Sequence, residues 1–220
     1  MEQTRKRSPL SFIVGIVVIA LVLVGAGSIV SEISGKINSS VKEKNAQKYS
    51  ELEEFIAPII MYDPDTFDDI SMANTEQLIS IAIWSVLDSN PEPDKYEYTD
   101  GGMLMPQSEV EEKFNSLFGS QVKWNHCTVD GGGIYFSYSK TKKAYVIPIT
   151  GVTPIYTPEI TEISERPNTL TLTVGYLASS EWVQDSDGNI VPPEPSKYMK
   201  ITLGKNSDGG YYIRAIQSAD

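Results

Sequence analysis

The sequence predicts an α+β fold in which an N-terminal transmembrane helix precedes helices packed on an antiparallel β-sheet meander. Three observations support this prediction. An uncharged apolar run covers Leu10–Val30, apolar residues then recur at helical spacing, and after Gly119 the hydrophobic period changes to two. Helices first and strands second are typical of an α+β domain with the helices on one face of the sheet.

The apolar run is long enough for a membrane-spanning helix. It has 21 residues, and a bilayer core requires roughly 20 apolar residues in a helix. Because Arg5, Lys6 and Arg7 precede it in a short tail, we expect that tail in the cytoplasm and the remainder outside. A signal peptide cleaved near Val24-Gly25-Ala26 is the alternative, but its apolar region is usually shorter.

This interpretation divides the chain into four segments. They are a cytoplasmic basic tail (1–9), a transmembrane helix (10–30), a juxtamembrane spacer rich in Ser, Gly and Asn (31–43) and an extracytoplasmic α+β domain (44–220).

Charge and cysteine content limit the partners. The chain has a net charge of −11, and the tail holds three of its 18 basic residues and one of its 29 acidic ones, which leaves −13 for the rest. So acidic a surface repels nucleic acid and anionic lipid headgroups. The single cysteine, Cys127, allows no internal disulfide, so an exported domain must rely on its core.

The first helix is predicted from Val41 onward. Its apolar residues lie three and four positions apart and share one face: Tyr49, Leu52, Phe55, Ile56, Ile59 and Ile60. Pro58 is expected to end or kink this helix.

The second helix begins after Asn74, with Gln77 in position for a capping arrangement. It is apolar on nearly all sides, so it belongs in the core together with Trp84. Asn90-Pro91-Glu92-Pro93 is expected to end it.

The third helix carries a capping box in Ser108-Glu109-Val110-Glu111. In that arrangement the hydroxyl of Ser108 accepts from the backbone of Glu111. Gly119 is expected to end the helix. Its apolar stripe is predicted at Val110, Phe114, Leu117 and Phe118.

The second half alternates as strands do. Short turns between neighbouring strands indicate an antiparallel meander. Cystatin-like and nuclear-transport-factor-2-like cones have this general order of elements, which is an analogy of shape and does not give function. The predicted strands are Ile134–Ser139, Ala144–Ile149, Glu159–Glu165, Thr169–Leu177, Ser180–Gln184, Tyr198–Leu203 and Tyr211–Gln217.

Candidate chemistry is sparse. His126 and Cys127 are adjacent in a predicted half-buried strand, so their side chains should point to opposite faces and form no catalytic dyad. One His and one Cys also fall short of a zinc site. Gly131-Gly132-Gly133 lacks the residues of a phosphate loop and is interpreted as a flexible hairpin lead-in.

Two acidic loops remain. Asp63–Asp69 holds four acids in seven residues, and Asp185–Asn189 resembles the start of a calcium loop. The second lacks the later calcium ligands, so ordinary turns are the favoured interpretation and calcium the alternative. Paired acids could also cleave glycosidic bonds.

One segment resembles a known group of proteins. Met105–Phe114, followed by Leu117-Phe118-Gly119 and a tyrosine-rich sheet, is similar to uncharacterised membrane-anchored extracytoplasmic proteins of Gram-positive anaerobes. The resemblance covers about half of the soluble part and implies an envelope location. It implies no activity and no catalytic residues.

The function predicted from these features is a non-catalytic binding, sensory or assembly module at the cell envelope. We assign no catalytic, cofactor-binding or metal-binding residues. The expected partners are the membrane, through Leu10–Val30, and an envelope protein or a glycan bound by exposed aromatic residues, with no nucleic acid. An envelope hydrolase with paired carboxylates is the alternative. A pilin-like subunit is a third reading, disfavoured because Ser8-Pro9-Leu10 replaces the usual Gly junction.

Overall fold

A computed structural model describes residues 39–89, 95–149, 154–207 and 209–219, with side chains from residue 46 onward. This part of the chain has an α+β fold with antiparallel sheets, as predicted. The predicted span Leu10–Val30 lies outside the described residues, as does most of the spacer. Among the helices that are described, none is long and apolar enough to cross a bilayer.

Three α-helices are described, along with one short 3-10 helix at Ile70–Met72. Helix α1 spans Ser39–Tyr62, helix α2 spans Thr75–Ser89 and helix α3 spans Gln107–Phe118. Each was predicted, although their ends differ in ways that have physical reasons.

Helix α1 continues past Pro58, so of the two predicted outcomes the end of the helix is wrong and the kink stays a prediction. A proline inside a helix removes one hydrogen bond and costs about 3 kcal/mol. Here Ile56, Ile59 and Ile60 are all fully buried around it, and burying one such side chain stabilises by roughly 1.5–3 kcal/mol. Packing therefore outweighs the lost bond. The helix ends at Asp63, whose φ is 55°.

Helix α2 begins as predicted, because Asn74 Oδ1 accepts a hydrogen bond from the Glu76 N–H at 3.1 Å. The side chain of Gln77 does not complete a capping box. It instead forms two bonds with Asp65, at 3.2 Å to the backbone and 3.0 Å to the carboxylate. The helix is buried from Leu78 through Val86, which confirms its core position.

Helix α3 starts one residue before the predicted cap. Ser108 lies inside the helix, which follows Pro106 without a side-chain cap, so the predicted capping box is wrong. The carboxylate of Glu111 contacts His126 and Gln107 instead. The apolar stripe of the helix is buried as predicted, and Gly119, with a φ of 81°, ends it.

The predicted meander forms a four-stranded sheet in the order β11-β10-β7-β6. Its bounds agree with the predicted strands to within three residues. The strands are β6 (Tyr156–Arg166), β7 (Thr169–Ala178), β10 (Tyr198–Lys205) and β11 (Tyr211–Ser218). A separate hairpin, β8 (Val183–Gln184) with β9 (Ile190–Val191), interrupts the meander between β7 and β10.

A second, five-stranded sheet was not predicted as a unit. Its order is β1-β2-β5-β4-β3, and two of its strands precede α3. The expectation of helices first and one meander second is therefore wrong. The strands are β1 (Glu97–Thr99), β2 (Gly102–Pro106), β3 (Val129–Asp130), β4 (Tyr135–Ser139) and β5 (Ala144–Ile147).

The helices and both sheets share one hydrophobic core. The inner face of the four-stranded sheet contributes Leu170, Leu172, Val174 and Tyr176, all fully buried. Helix α1 lies along β6, where Glu53 Oε1 accepts from the Ile160 N–H at 2.9 Å beside a register shift. We call the opposite face of this sheet, which carries Thr157, Glu159 and Gly175, the outer face.

Candidate functional site

The only histidine of the chain lies between helix α3 and strand β5. The two nitrogens of His126 contact Glu111 Oε1 (Nε2, 2.8 Å) and the hydroxyl of Tyr145 (Nδ1, 3.0 Å). Because an ionised carboxylate only accepts, His126 Nε2 donates to Glu111, and the second hydrogen bond joins Nδ1 to the Tyr145 hydroxyl. Helix α3, the segment that carries His126 and strand β5 are separate in the sequence and meet at the imidazole ring.

Aromatic rings enclose that imidazole. The ring of His126 stacks on Tyr138 at 4.9 Å between centroids and meets Trp124 edge-on at 4.6 Å. The hydroxyl of Tyr138 donates to Gln107 Oε1 at 2.6 Å, and Gln107 Nε2 donates to Glu111 at 3.1 Å. We call Gln107, Glu111, Trp124, His126, Tyr138 and Tyr145 the histidine cluster.

The histidine cluster links helix α3 to the five-stranded sheet. Both nitrogens of His126 are engaged, Nε2 by Glu111 and Nδ1 by Tyr145. Tyr145 is fully buried, and burial raises the pKa of its phenol far above the ordinary value. The cluster therefore joins α3 to β5 through hydrogen bonds and ring contacts.

Among the hydrogen bonds that the structure describes, none joins the side chains of His126 and Cys127, and the expectation that they form no catalytic dyad stays a prediction. The segment around them is not a strand, however, so the predicted half-buried strand is wrong. Cys127 is half-buried. Burial, followed by the nearby carboxylate of Glu76, raises the pKa of the thiol, which lowers its reactivity at neutral pH.

The acids of Asp63–Asp69 do not converge, because each binds a different side chain. Asp63 pairs with Lys197 at 2.6 Å, and Asp68 accepts from Gln217 at 2.6 Å. Asp65 pairs with Gln77, as noted above, and Asp69 accepts from the Ser71 hydroxyl at 2.6 Å. Each acid of the loop thus contacts a different side chain, and the four carboxylates do not share a ligand position.

The Asp185–Asn189 loop is the turn of the β8–β9 hairpin. One carboxylate oxygen of Asp185 accepts from the N–H groups of Asp187 and Asn189, at 2.9 and 2.8 Å. The bonds from the side chain and backbone of Asn189 lower the pKa of Asp185. Its oxygens thus serve the turn, which fits the favoured interpretation.

The Gly131–Gly133 segment is held against helix α2. The indole Nε1 of Trp84 donates to the Gly131 carbonyl at 2.9 Å, and the Ser80 hydroxyl donates to the Asp130 carbonyl at 2.7 Å. A Cβ on Gly131 would stand 2.4 Å from the ring of Phe136. The glycines thus permit a close approach to the core, and the N–H groups of Gly132 and Gly133 donate to Asp130 Oδ1 at 2.9 and 2.7 Å. The flexibility of this lead-in stays a prediction.

A second polar cluster lies at the end of β7 on the inner face. Lys197 Nζ contacts both carboxylate oxygens of Asp63 at 2.6 Å. The same ammonium lies over the rings of Tyr176 and Tyr156, at 4.7 and 5.5 Å from their centroids. The hydroxyl of Tyr176 is buried and has no hydrogen-bond partner within the described structure. We call these four residues the lysine cluster.

Large apolar side chains are exposed on the β8–β9 hairpin. Val183 is 59% exposed, Ile190 52% and Val191 39%. Val183 lies opposite Val191 and Gln184 opposite Ile190, so the apolar side chains project from both faces of the hairpin.

Comparisons with known protein families, curated proteins and solved structures found no match. The analogy with cystatin-like and nuclear-transport-factor-2-like cones therefore stays a prediction, as does the resemblance to anchored envelope proteins. Across the described residues, no three His, Cys, Asp or Glu side chains are grouped as a metal site. This finding does not test the expectation of a protein without a cofactor.

Sequence reasoning missed the residues that meet in space. The sequence assigns Glu111 to a helix cap and gives Lys197 no role. No local sequence signal relates Glu111 to His126, because their contact joins helix α3 to a segment 15 positions away that is not a regular element.

Proposed function

We propose that this chain is a single-pass membrane protein whose extracytoplasmic domain is a non-catalytic module that binds another protein of the cell envelope. The apolar run Leu10–Val30 and the preceding Arg5, Lys6 and Arg7 support the anchor and its orientation. The domain then projects its binding surface from the outer side of the membrane.

The exposed apolar hairpin is the observation that carries this proposal. An isolated two-stranded hairpin is marginally stable in water, and exposed apolar groups that lie together are typical of interaction sites. Val183, Ile190 and Val191 are exposed on a strongly acidic domain. A partner that covers both faces of the hairpin would bury these side chains and order the strands.

The geometry favours binding over hydrolysis. A hydrolase with paired carboxylates needs two acids on either side of the scissile bond. The acids of Asp63–Asp69 are paired separately with Lys197, Gln77 and other groups.

Site-specific photocrosslinking in intact cells tests the proposal. A photoreactive amino acid at Val191 should give one discrete protein adduct, and Ile190→Asp should abolish it without lowering the melting temperature. Tyr135, which is 65% exposed on β4, is the matched control position and should give no such adduct. Equal adducts at Val191 and Tyr135, or none at Val191, would contradict the proposal.

The orientation has its own test. Protease added to intact, wall-stripped cells should digest the domain and leave a small membrane fragment. Full-length protein that survives this treatment would show that the domain is not outside.

A further inference from the structure

The β8–β9 hairpin is held at its base and exposed along its whole length. At its entry, the Glu181 N–H donates to the Ala178 carbonyl at 3.1 Å. At its exit, the Ser196 N–H donates to the Tyr176 carbonyl at 2.9 Å. Every residue of 183–191 is exposed. The hairpin therefore projects from a fixed position beside the end of β7.

Both strands of the hairpin have an open edge. In the described part of the chain, β8 and β9 each have only the other strand as a neighbour. A two-stranded hairpin is marginally stable in water, whereas a third strand adds backbone hydrogen bonds and side-chain contacts. This arrangement favours a partner segment that is extended and lies along one edge of the hairpin.

The hairpin and the chain on either side of it are acidic. Between Arg166 and Lys197 the sequence has four acidic residues and no Lys or Arg. All four are exposed, and none forms an ion pair with another described residue. They are Glu181, Asp185, Asp187 and Glu194. The exposed apolar side chains are therefore surrounded by unpaired negative charge.

A further carboxylate adds to this charge at the exit of the hairpin. Pro195 Cγ lies 2.8 Å from the position of a Cβ on Gly175, and Glu159 pairs with that glycine on the outer face. Burial, then the charge of Glu194, raises the pKa of Glu159. Carboxylates that lie together in this way repel an anionic partner and attract a cationic one.

We propose that the partner presents an extended, Lys- or Arg-rich segment that pairs with one edge of the hairpin. Because the side chains of a strand alternate between two faces, such a segment can contact the apolar residues on both faces of the hairpin. Its cations would lie beside Glu181 and Asp187. A second copy of this chain is a poor fit, because the chain after the basic tail has a net charge of −13. This inference rests on the proposed function and adds the chemistry of the partner.

Charge reversal tests the inference in intact cells, in full-length protein that carries the photoreactive amino acid at Val191. Glu181→Lys combined with Asp187→Lys should lower the adduct yield roughly tenfold, because like charges would then face each other across the interface. Glu97→Lys combined with Glu112→Lys is the matched control. These two acids are exposed on β1 and α3, and their reversal changes the net charge by the same amount. The control should give the parent yield, and both double variants should keep the parent melting temperature.

Mapping of the adduct by mass spectrometry supplies a second readout. The crosslinked segment of the partner should contain more Lys and Arg than Asp and Glu. An unchanged yield in the hairpin variant, an equal loss in the control, or an adduct on an acidic segment or on a second copy would overturn the inference and leave hairpin binding in place. Absence of any adduct in the parent would overturn the proposed function as well.

Discussion

The histidine cluster and the lysine cluster each contain a fully buried tyrosine, yet the two hydroxyl groups have opposite surroundings. The hydroxyl of Tyr145 lies 3.0 Å from His126 Nδ1. The hydroxyl of Tyr176 has no partner among the described residues, whereas its ring faces the ammonium of Lys197 at 4.7 Å. Burial raises the pKa of both phenols, so both stay neutral across the physiological range.

This difference shows that burial alone does not determine what a tyrosine contributes. In the histidine cluster the polar end of the side chain joins separate segments. In the lysine cluster the aromatic face holds a cation, which in turn holds Asp63 at the end of α1. The tyrosine hydroxyl should therefore contribute to stability in the histidine cluster alone, whereas the ring should contribute to stability in both clusters.

Removal of the whole tyrosine ring should cause the largest loss of stability, and that loss should be similar in the two clusters. Tyr145→Ala and Tyr176→Ala each leave a core cavity, and we expect each to lower the free energy of unfolding by roughly 3–5 kcal/mol. Urea unfolding followed by circular dichroism measures this. A loss below about 1 kcal/mol for either variant would show that its ring is not packed as described.

Removal of the hydroxyl alone should lower stability in the histidine cluster but not in the lysine cluster. Tyr145→Phe leaves His126 Nδ1 without its hydrogen-bond partner, so we expect a loss of about 1–2 kcal/mol in the free energy of unfolding. Tyr176→Phe removes a group that has no described partner, so its stability should be equal to or slightly above that of the parent. Each variant is the control for the other, and a reversed order would refute the comparison.

Removal of the Lys197 charge should lower stability by a smaller amount, and this amount should depend on the salt concentration. Lys197→Met keeps an apolar stem over the rings of Tyr156 and Tyr176 but loses the charge. Because 36% of the Lys197 side chain is exposed, solvent screens the pair, and we expect a loss of only about 1 kcal/mol. Parent and variant should converge in 1 M sodium chloride, where the Debye length is about 3 Å. The deficit of Tyr145→Phe should not change with salt.

The two sheets show why the sequence predicted one part of the fold better than the other. The strands from β6 onward are long or joined by clear turns, such as Arg166-Pro167-Asn168, so local period and turn residues suffice. Strands β1 and β2 are three and five residues long, which is too short for a distinct alternation. Strand β1 pairs with β2 alone, and the pairing of β2 with β5, such as Met103 with Ile147, is non-local, so tertiary contacts fix them.

The clusters were less predictable than the sheets for a related reason. Burial of Trp84 and of the α3 stripe follows from helical periodicity, which is a local property. The contacts of His126 with Glu111 and of Lys197 with Asp63 join residues 15 and 134 positions apart. Local sequence rules place Glu111 in a helix cap. The same carboxylate can serve either a capping box or a tertiary contact, and here it contacts His126.

The smallest effect should come from the residue next to the histidine cluster. Cys127 is half-buried and makes no described side-chain hydrogen bond, so Cys127→Ser should change the free energy of unfolding by about 0.5 kcal/mol or less. Since burial raises the pKa of the thiol, the parent should react with iodoacetamide at pH 8 more slowly than free cysteine, and the rate should rise further as pH increases toward that pKa. Unfolding the protein should abolish the difference. If Cys127→Ser costs as much as Tyr145→Phe, or if the folded protein reacts faster than free cysteine, the thiol is part of the histidine cluster and that cluster is not purely structural.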